Sequence, residues 1–281
     1  MNESMATSLS LAVGIAARYS VLPQVEAVAL AGSQTSGMAD QGSDLDIYVY
    51  VREEIPVRVR AGIAAAHAER VEVDNRFWEP GDEWVEADPR VAIDVIFRDT
   101  RWIEEQLDRV LRRHEASVGY STCFWYNVLS SHVLYDREGW FDTLQQSARR
   151  PYPEPLRRAI IAKNHPILGQ TISSYTHQLE RAVAHDDLVS LNHRVAALLA
   201  SYFDILFAVN RLPHPGEKRL IECATQQCAK VPDGMSQQVE ELIRAVAQGD
   251  RHVIEQASAL VAGLNHLLRA EGLIAAEAGA A

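Results

Sequence analysis

Apolar residues follow two rhythms along this chain. Up to about residue 150, short apolar runs alternate with amphipathic stretches, and beyond it helical spacing alone persists. Residues 4–20 predict an amphipathic helix, and VEAVALA (25–31) a buried strand. DLDIYVYV (44–51) predicts a second strand. IPVRVRAGIAAAHAER (55–70) predicts a helix with Pro56 near its first turn. VEVDNRFW (71–78) and RVAIDVIF (90–97) predict two further strands. The segment between them, EPGDEWVEADP, reads as a loop because of its Pro, Gly and Asp. TRWIEEQLDRVLRRHEA (100–116) predicts a helix capped by Thr100, and HVLYD (132–136) a short strand.

RRPYPEP (149–155) holds three prolines in five residues and reads as a domain junction. After it the pattern predicts helices over 155–164, 166–184, 187–210, 215–229, 235–248 and 250–271. The 281 residues suit two domains. The expected fold class is α+β: a small mixed-sheet domain, 1–150, followed by an all-helical bundle domain, 151–281.

Candidate chemistry sits at the head of the second strand. Alternation puts Asp44, Asp46, Tyr48 and Tyr50 on one face, which is expected to be wet or polar. The strand at 90–97 repeats the scheme with Asp94 beside Ala92 and Ile96. If these strands are neighbours, three carboxylates converge. Such a cluster persists when cations bind it, and all-oxygen ligands suit Mg²⁺ or Mn²⁺. A pair of ions is the usual arrangement for phosphoryl or nucleotidyl displacement. Gly32 and Ser33 follow the first strand directly, where a glycine turn admits close backbone approach to phosphate. Ser43 offers another hydroxyl beside Asp44.

Charge narrows the substrate. The formal net charge is -11, and residues 1–150 hold 15 Arg, no Lys and 24 acids. That balance favours a small-molecule acceptor over nucleic acid. The lysines are Lys163, Lys218 and Lys230, so Lys163 or Lys218 is expected to reach a triphosphate from the helical domain. Glu83 is a further candidate base, with Trp78 and Trp84 flanking it for stacking or for a core role. His214 reads as turn decoration, and Asn210 with Arg211 as a helix cap or domain contact. The cysteines, Cys123, Cys223 and Cys228, have no disulfide-framework spacing, which suits a reducing cytoplasm. No segment reads as a membrane span or as a signal peptide. The oligomeric state is not legible.

AGSQTSGMADQGSDLDIYV followed by AIDVIF resembles the nucleotidyltransferase superfamily typified by DNA polymerase beta. The aminoglycoside and lincosamide nucleotidyltransferases are similar in layout. GYSTCFWYNVLSSHVLYDREGW and SYFDILFAVNRLPHPGEKRL resemble a bacterial subgroup, the DUF4037-type nucleotidyltransferases. The resemblance implies that Gly32 and Ser33 bind the β- and γ-phosphates of a nucleoside triphosphate and that Asp44 and Asp46 hold the metals. It implies that Asp94 ligates the metal nearer the acceptor and takes its hydroxyl proton. The implied reaction moves a nucleoside monophosphate, AMP by analogy with ATP as donor, to a hydroxyl and releases pyrophosphate. Alternatives are a protein-AMPylating transferase of toxin–antitoxin type and a nucleotide-binding sensor without turnover. In the superfamily the third carboxylate often lies closer to the Asp-x-Asp pair than Asp94 does here.

Overall fold

The computed structural model of the protein describes residues 3–32, 35, 44–66, 68–77, 79–88 and 90–275. They divide into two compact units. The first comprises the residues up to Asp108 and Phe124–Arg150; the second comprises Arg109–Cys123 and the residues from Pro151 onward. Residues 109–123, placed by the sequence in the first domain, thus cluster with the helical unit.

The first unit runs α1 (Glu3–Ser20), β1 (Val25–Leu30), β2 (Leu45–Val51), α2 (Val57–Ala64), β3 (Ala68–Asn75), β4 (Gly81–Glu86) and β5 (Ala92–Asp99). It continues with α3 (Thr100–Leu111), α4 (Cys123–Ser130), β6 (His132–Asp136) and α5 (Trp140–Ala148), α3 ending across the division. Six described strands form one sheet in the order β3-β4-β5-β2-β1-β6. β2 and β5 pair in parallel at its centre, and the other four pairings are antiparallel. The expected α+β class, a mixed sheet followed by helices, describes the molecule.

One face of the sheet is mainly apolar. Val28 and Leu30 of β1, Leu45, Ile47 and Val49 of β2, and Ile93 and Val95 of β5 share a buried core with Ala12, Ile15 and Tyr19 of α1. The other face is divided. Tyr48 and Tyr50, expected on a wet face with Asp46, are buried. Tyr50 packs against Trp140 and Phe141 of α5, with ring centroids 5.5 and 4.7 Å away. The Arg98 guanidinium stacks 3.8 Å above the Tyr48 ring and donates to both Glu79 carboxylate oxygens at 2.9 and 2.8 Å. Only the Asp46 end of this face stays open.

Several expectations change. EPGDEWVEADP contains strand β4. Its acidic residues concealed the strand, because they meet internal partners rather than water. Buried Asp82 accepts from Arg60 Nη1 at 2.9 Å, and Glu86 from the Trp84 indole at 3.0 Å. The helix expected over 55–70 stops at Ala64, and Ala68–Arg70 already belong to β3. The cap of α3 is Asp99, whose Oδ1 accepts the Trp102 N–H at 3.0 Å; Thr100 is the first helical residue. Helices α4 and α5 were not expected.

The second unit contains α6 (Glu154–Gly169), α7 (Tyr175–Ala184), α8 (Leu188–Val209), α9 (Leu220–Gln227), α10 (Met235–Val246) and α11 (Arg251–Ala270). α6 continues through Pro166, where a break was expected, and ends at Gly169 one turn later. α8 supplies much of the core through Leu198, Tyr202, Leu206 and Phe207. Buried Asp204 in α8 accepts from Ser121 N–H at 3.0 Å and Ser121 Oγ at 2.6 Å, pinning the preceding loop. Burial pushes its carboxyl up to about 7, and the Ser121 bonds oppose that rise.

Candidate active site

β1 delivers the backbone to the edge of the open face. The Ala31 N–H donates to the Asp46 carbonyl at 2.9 Å, which carries the β1–β2 pairing one step past the strand. Gly32 then turns the chain with φ +66°. A Cβ here would stand 1.7 Å from Asp46 Oδ2, so the Gly32 backbone lies directly against that carboxylate. The Gly32 carbonyl accepts from Thr35 N at 3.3 Å and Thr35 Oγ1 at 3.2 Å. Glycine is favoured twice here: by the left-handed backbone and by the carboxylate that stands where a Cβ would go. Ser33 and Ser43, the expected hydroxyl donors, lie outside the described residues, as does Trp78.

The parallel register places Asp46 of β2 opposite Asp94 of β5. Neighbouring strands run about 4.8 Å apart, so the two side chains rise next to each other on one face. Asp44, exposed just before β2, lines the same cleft as Asp94. The cleft has a volume of about 340 Å³. Burial, together with the charges of Asp46, Glu83, Asp44 and Glu79, pushes the Asp94 carboxyl up to about 6. The expected trio is therefore gathered at one end of the sheet, two members in lateral register and the third at the cleft wall.

Glu83 belongs to β4 rather than to a loop, and its register partner is Asp94. Its Oε1 accepts from Asn75 Nδ2 at 2.8 Å. Glu72 of β3 is opposite Glu83. Four carboxylates thus run in one row across four strands. Sequence reasoning missed Glu72 and, one step along β3, Arg70, which also lines the cleft. The signal lay in the alternation of RVEVD and DEWVE, which had been split between a helix, a strand and a loop. Trp84, a stacking candidate, faces the opposite side of β4 and is buried in the core.

The donor set around Asp46 and Asp94 is all oxygen and anionic, and Gly32 itself puts no side chain between its backbone and the Asp46 carboxylate. These residues fit a hard divalent cation. Among the described residues, no three His, Cys, Asp or Glu side chains are already assembled into a coordination site. Lys163 and Lys218, the expected triphosphate contacts, belong to the second unit, where both are exposed. His214 is not turn decoration. It is fully buried, its N–H donates to Thr122 Oγ1 at 2.7 Å, and burial pushes its imidazole down to about 4. Asn210 ends α8 as a cap, donating to the Leu206 and Lys230 carbonyls at 2.9 and 2.7 Å.

Residues 125–220 match the family described as a domain of unknown function, DUF4037. That match begins beyond the carboxylate row and covers α4 through the start of α9. No curated protein matches the chain. One solved structure that matches is described as a nucleotidyltransferase-like protein from Exiguobacterium sibiricum 255-15. It is 14% identical over 94% of this chain and 76% of that one, with a TM-score of 0.43. At that distance the chemistry is read from this chain's own residues. No described helix is long and apolar enough to cross a membrane.

Proposed function

We propose that the protein is a Mg²⁺-dependent nucleotidyltransferase that moves a nucleoside monophosphate, AMP by analogy, from a triphosphate to a hydroxyl of a small molecule. One observation carries this reading. Asp46 and Asp94 are lateral partners on parallel strands, and the Gly32 turn closes against the Asp46 carboxylate. A glycine turn beside paired carboxylates is an arrangement that handles polyphosphate and its counter-ions together.

In this reading Asp44, Asp46 and Asp94 would hold two Mg²⁺ ions, with Mn²⁺ a workable substitute. Bound there, the ions would neutralise charge on the attacking and leaving oxygens. The Gly32 turn orients the β- and γ-phosphates, with Ser33 and Ser43 as hydroxyl donors. The acceptor oxygen attacks the α-phosphorus, a new P–O bond forms, and the bond to pyrophosphate breaks with its electron pair leaving on pyrophosphate. The hydroxyl proton passes to Asp94, or to Glu83 in the next strand. Positioning and preorganised charge do most of this work. The three cysteines are free thiols, and we place the protein in the cytoplasm, where they would stay reduced.

The test is a screen of acceptor pools with Mg²⁺ and each of the four nucleoside triphosphates, read by pyrophosphate release and by product mass. Product from wild type, absent in Asp46→Asn and Asp94→Asn, supports the reading. Tight nucleotide binding with no product from any pool makes the protein a sensor instead. Label appearing on protein makes it a protein-modifying transferase.

A further inference from the structure

The open face of the sheet extends well past the Asp46–Asp94 pair. Two registers cross it side by side. One is the carboxylate row Asp94–Glu83–Glu72, from β5 through β4 to β3. In the other, Ala92 of β5 is opposite Val85 of β4, and Val85 is opposite Arg70 of β3. All six residues line the cleft. Ala92 and Val85 give it an apolar floor two strands wide. Acids border that floor along one side, and Arg70 stands at its far end.

Arg70 and Glu72 are the unexplained members. They are two residues apart, so they share a face of β3, and both are exposed. Yet neither side chain has an ion-pair or hydrogen-bond partner among the described residues. Three arginines near the same sheet are engaged: Arg60 with Asp74 and Asp82, Arg76 with Glu54 and Asp74, and Arg98 with Glu79. An opposite-charge pair left open along the wall of a cleft can take a ligand that carries both signs.

Resting on the nucleotidyl-transfer reading, we propose that this floor is the acceptor subsite and that the acceptor is a zwitterion. Its reacting hydroxyl lies by Asp94, an amine lies against Glu83 and Glu72, and a carboxylate or phosphate reaches Arg70. Two strand spacings across and two residues along separate Asp94 from Arg70, so hydroxyl and anionic group sit about 12 Å apart. Arg70 is the cation of this subsite and does not contact the triphosphate, which lies at the Gly32 end, beyond β2.

The test begins with Mg·ATP binding to wild type, read as a rise in melting temperature. A small-molecule bacterial extract is then separated by ion exchange into neutral, cationic, anionic and zwitterionic fractions. Each is assayed with Mg·ATP for pyrophosphate release and a nucleotidyl mass gain. Product from the zwitterionic fraction is expected. Arg70→Gln and Glu72→Gln should each raise the KM for that acceptor by about tenfold, a loss of roughly 1.4 kcal/mol, with the KM for Mg·ATP unchanged. Arg70→Lys should recover part of the loss. Product only from the neutral, cationic or anionic fractions overturns the subsite, as does an Arg70→Gln effect on the KM for Mg·ATP. Binding without product in any fraction makes the protein a sensor and overturns the transfer reading together with the subsite. Failure of Mg·ATP to bind overturns the nucleotidyl-transfer reading itself, and the subsite with it.

Discussion

Gly32→Ala perturbs the site at the point where its geometry is tightest. Two costs arise. The φ of +66° is a left-handed conformation, which a side chain makes worse by about 1–2 kcal/mol. The added Cβ would also stand 1.7 Å from Asp46 Oδ2, where real Cβ contacts stay beyond 3.0 Å, so the two must separate by at least 1.3 Å. Strand β2 is held on both sides by β1 and β5, so the carboxylate at the tip of the side chain is the part that yields. A displacement of about 1 Å in a positioned group costs roughly a hundredfold in rate. The expected result is therefore an uneven one. Pyrophosphate release falls about 100-fold, whereas the melting temperature drops by only about 2–4 °C per kcal/mol of strain. Gly62 in α2 is the control, since a Cβ there meets nothing within 4 Å. Gly62→Ala should leave turnover unchanged and raise stability by about 0.5–1 kcal/mol. Turnover and catalytic constants are measured by coupled pyrophosphate assay, and stability by thermal and urea unfolding. A Gly32→Ala protein with wild-type turnover would refute the claim that Asp46 must stay where the glycine lets it lie.

Three further outcomes are expected. Asp82→Ala strips the buried Arg60 guanidinium of its fully buried partner. It should cost about 3 kcal/mol in urea unfolding, and a loss under 1 kcal/mol would count against the pair as the anchor of β4. The Asp94 carboxyl is raised to about 6 from an ordinary value of 3.8, so the folded state holds its proton more tightly than the unfolded one. Stability without divalent cations should therefore fall as pH climbs through that interval, and Asp94→Asn should fall less; equal melting profiles for the two proteins between pH 4 and 7 would contradict this. Burial pushes the Cys123 and Cys228 thiols up to about 12 and Cys223 in the same direction. The two buried thiols, Cys223 and Cys228, should react with a disulfide reagent at pH 8 only as fast as the protein opens, and either one reacting at the rate of free cysteine would refute it.

The strands that hold the site were legible because each carries a clean apolar face. In DLDIYVYV and AIDVIF the residues flanking each aspartate bury on one side, so the aspartates had to point to the other. The parallel pairing of β2 with β5 was not legible: the two are joined through a helix and two other strands, and only the long-range register brings Asp46 to Asp94. β4 was missed for a specific reason. Its inward acids, Asp82 and Glu86, bond to an arginine and an indole that lie elsewhere in the fold or two residues along. A polar residue that bonds internally looks like a loop residue until its partner is known. The burial of Tyr48 and Tyr50 was hidden likewise, because α4 and α5, which follow far along the chain, were not recognised.

That missed strand changes what the open face can do. With EPGDEWVEADP as a loop, Asp94 would sit on an edge strand, and any acceptor pocket would depend on loop conformation. With β4 in place, β5 has a neighbour on each side, and Glu83 and Glu72 are fixed at strand spacing from Asp94. A row of like charges on one face raises the energy of the folded chain. Here it is tolerated because the reverse face of the same strands is buried against α1 and α2, with its two acids, Asp82 and Glu86, bonded to Arg60 and the Trp84 indole, and because Tyr48, Tyr50 and Arg98 close the far end of the acidic face. The repulsion is therefore confined to the part of the sheet left open to ligands, where cations and amines can neutralise it. Moving Asp94 of this row to lysine should thus raise stability in urea unfolding while abolishing pyrophosphate release, the opposite of what a structural ion pair would give.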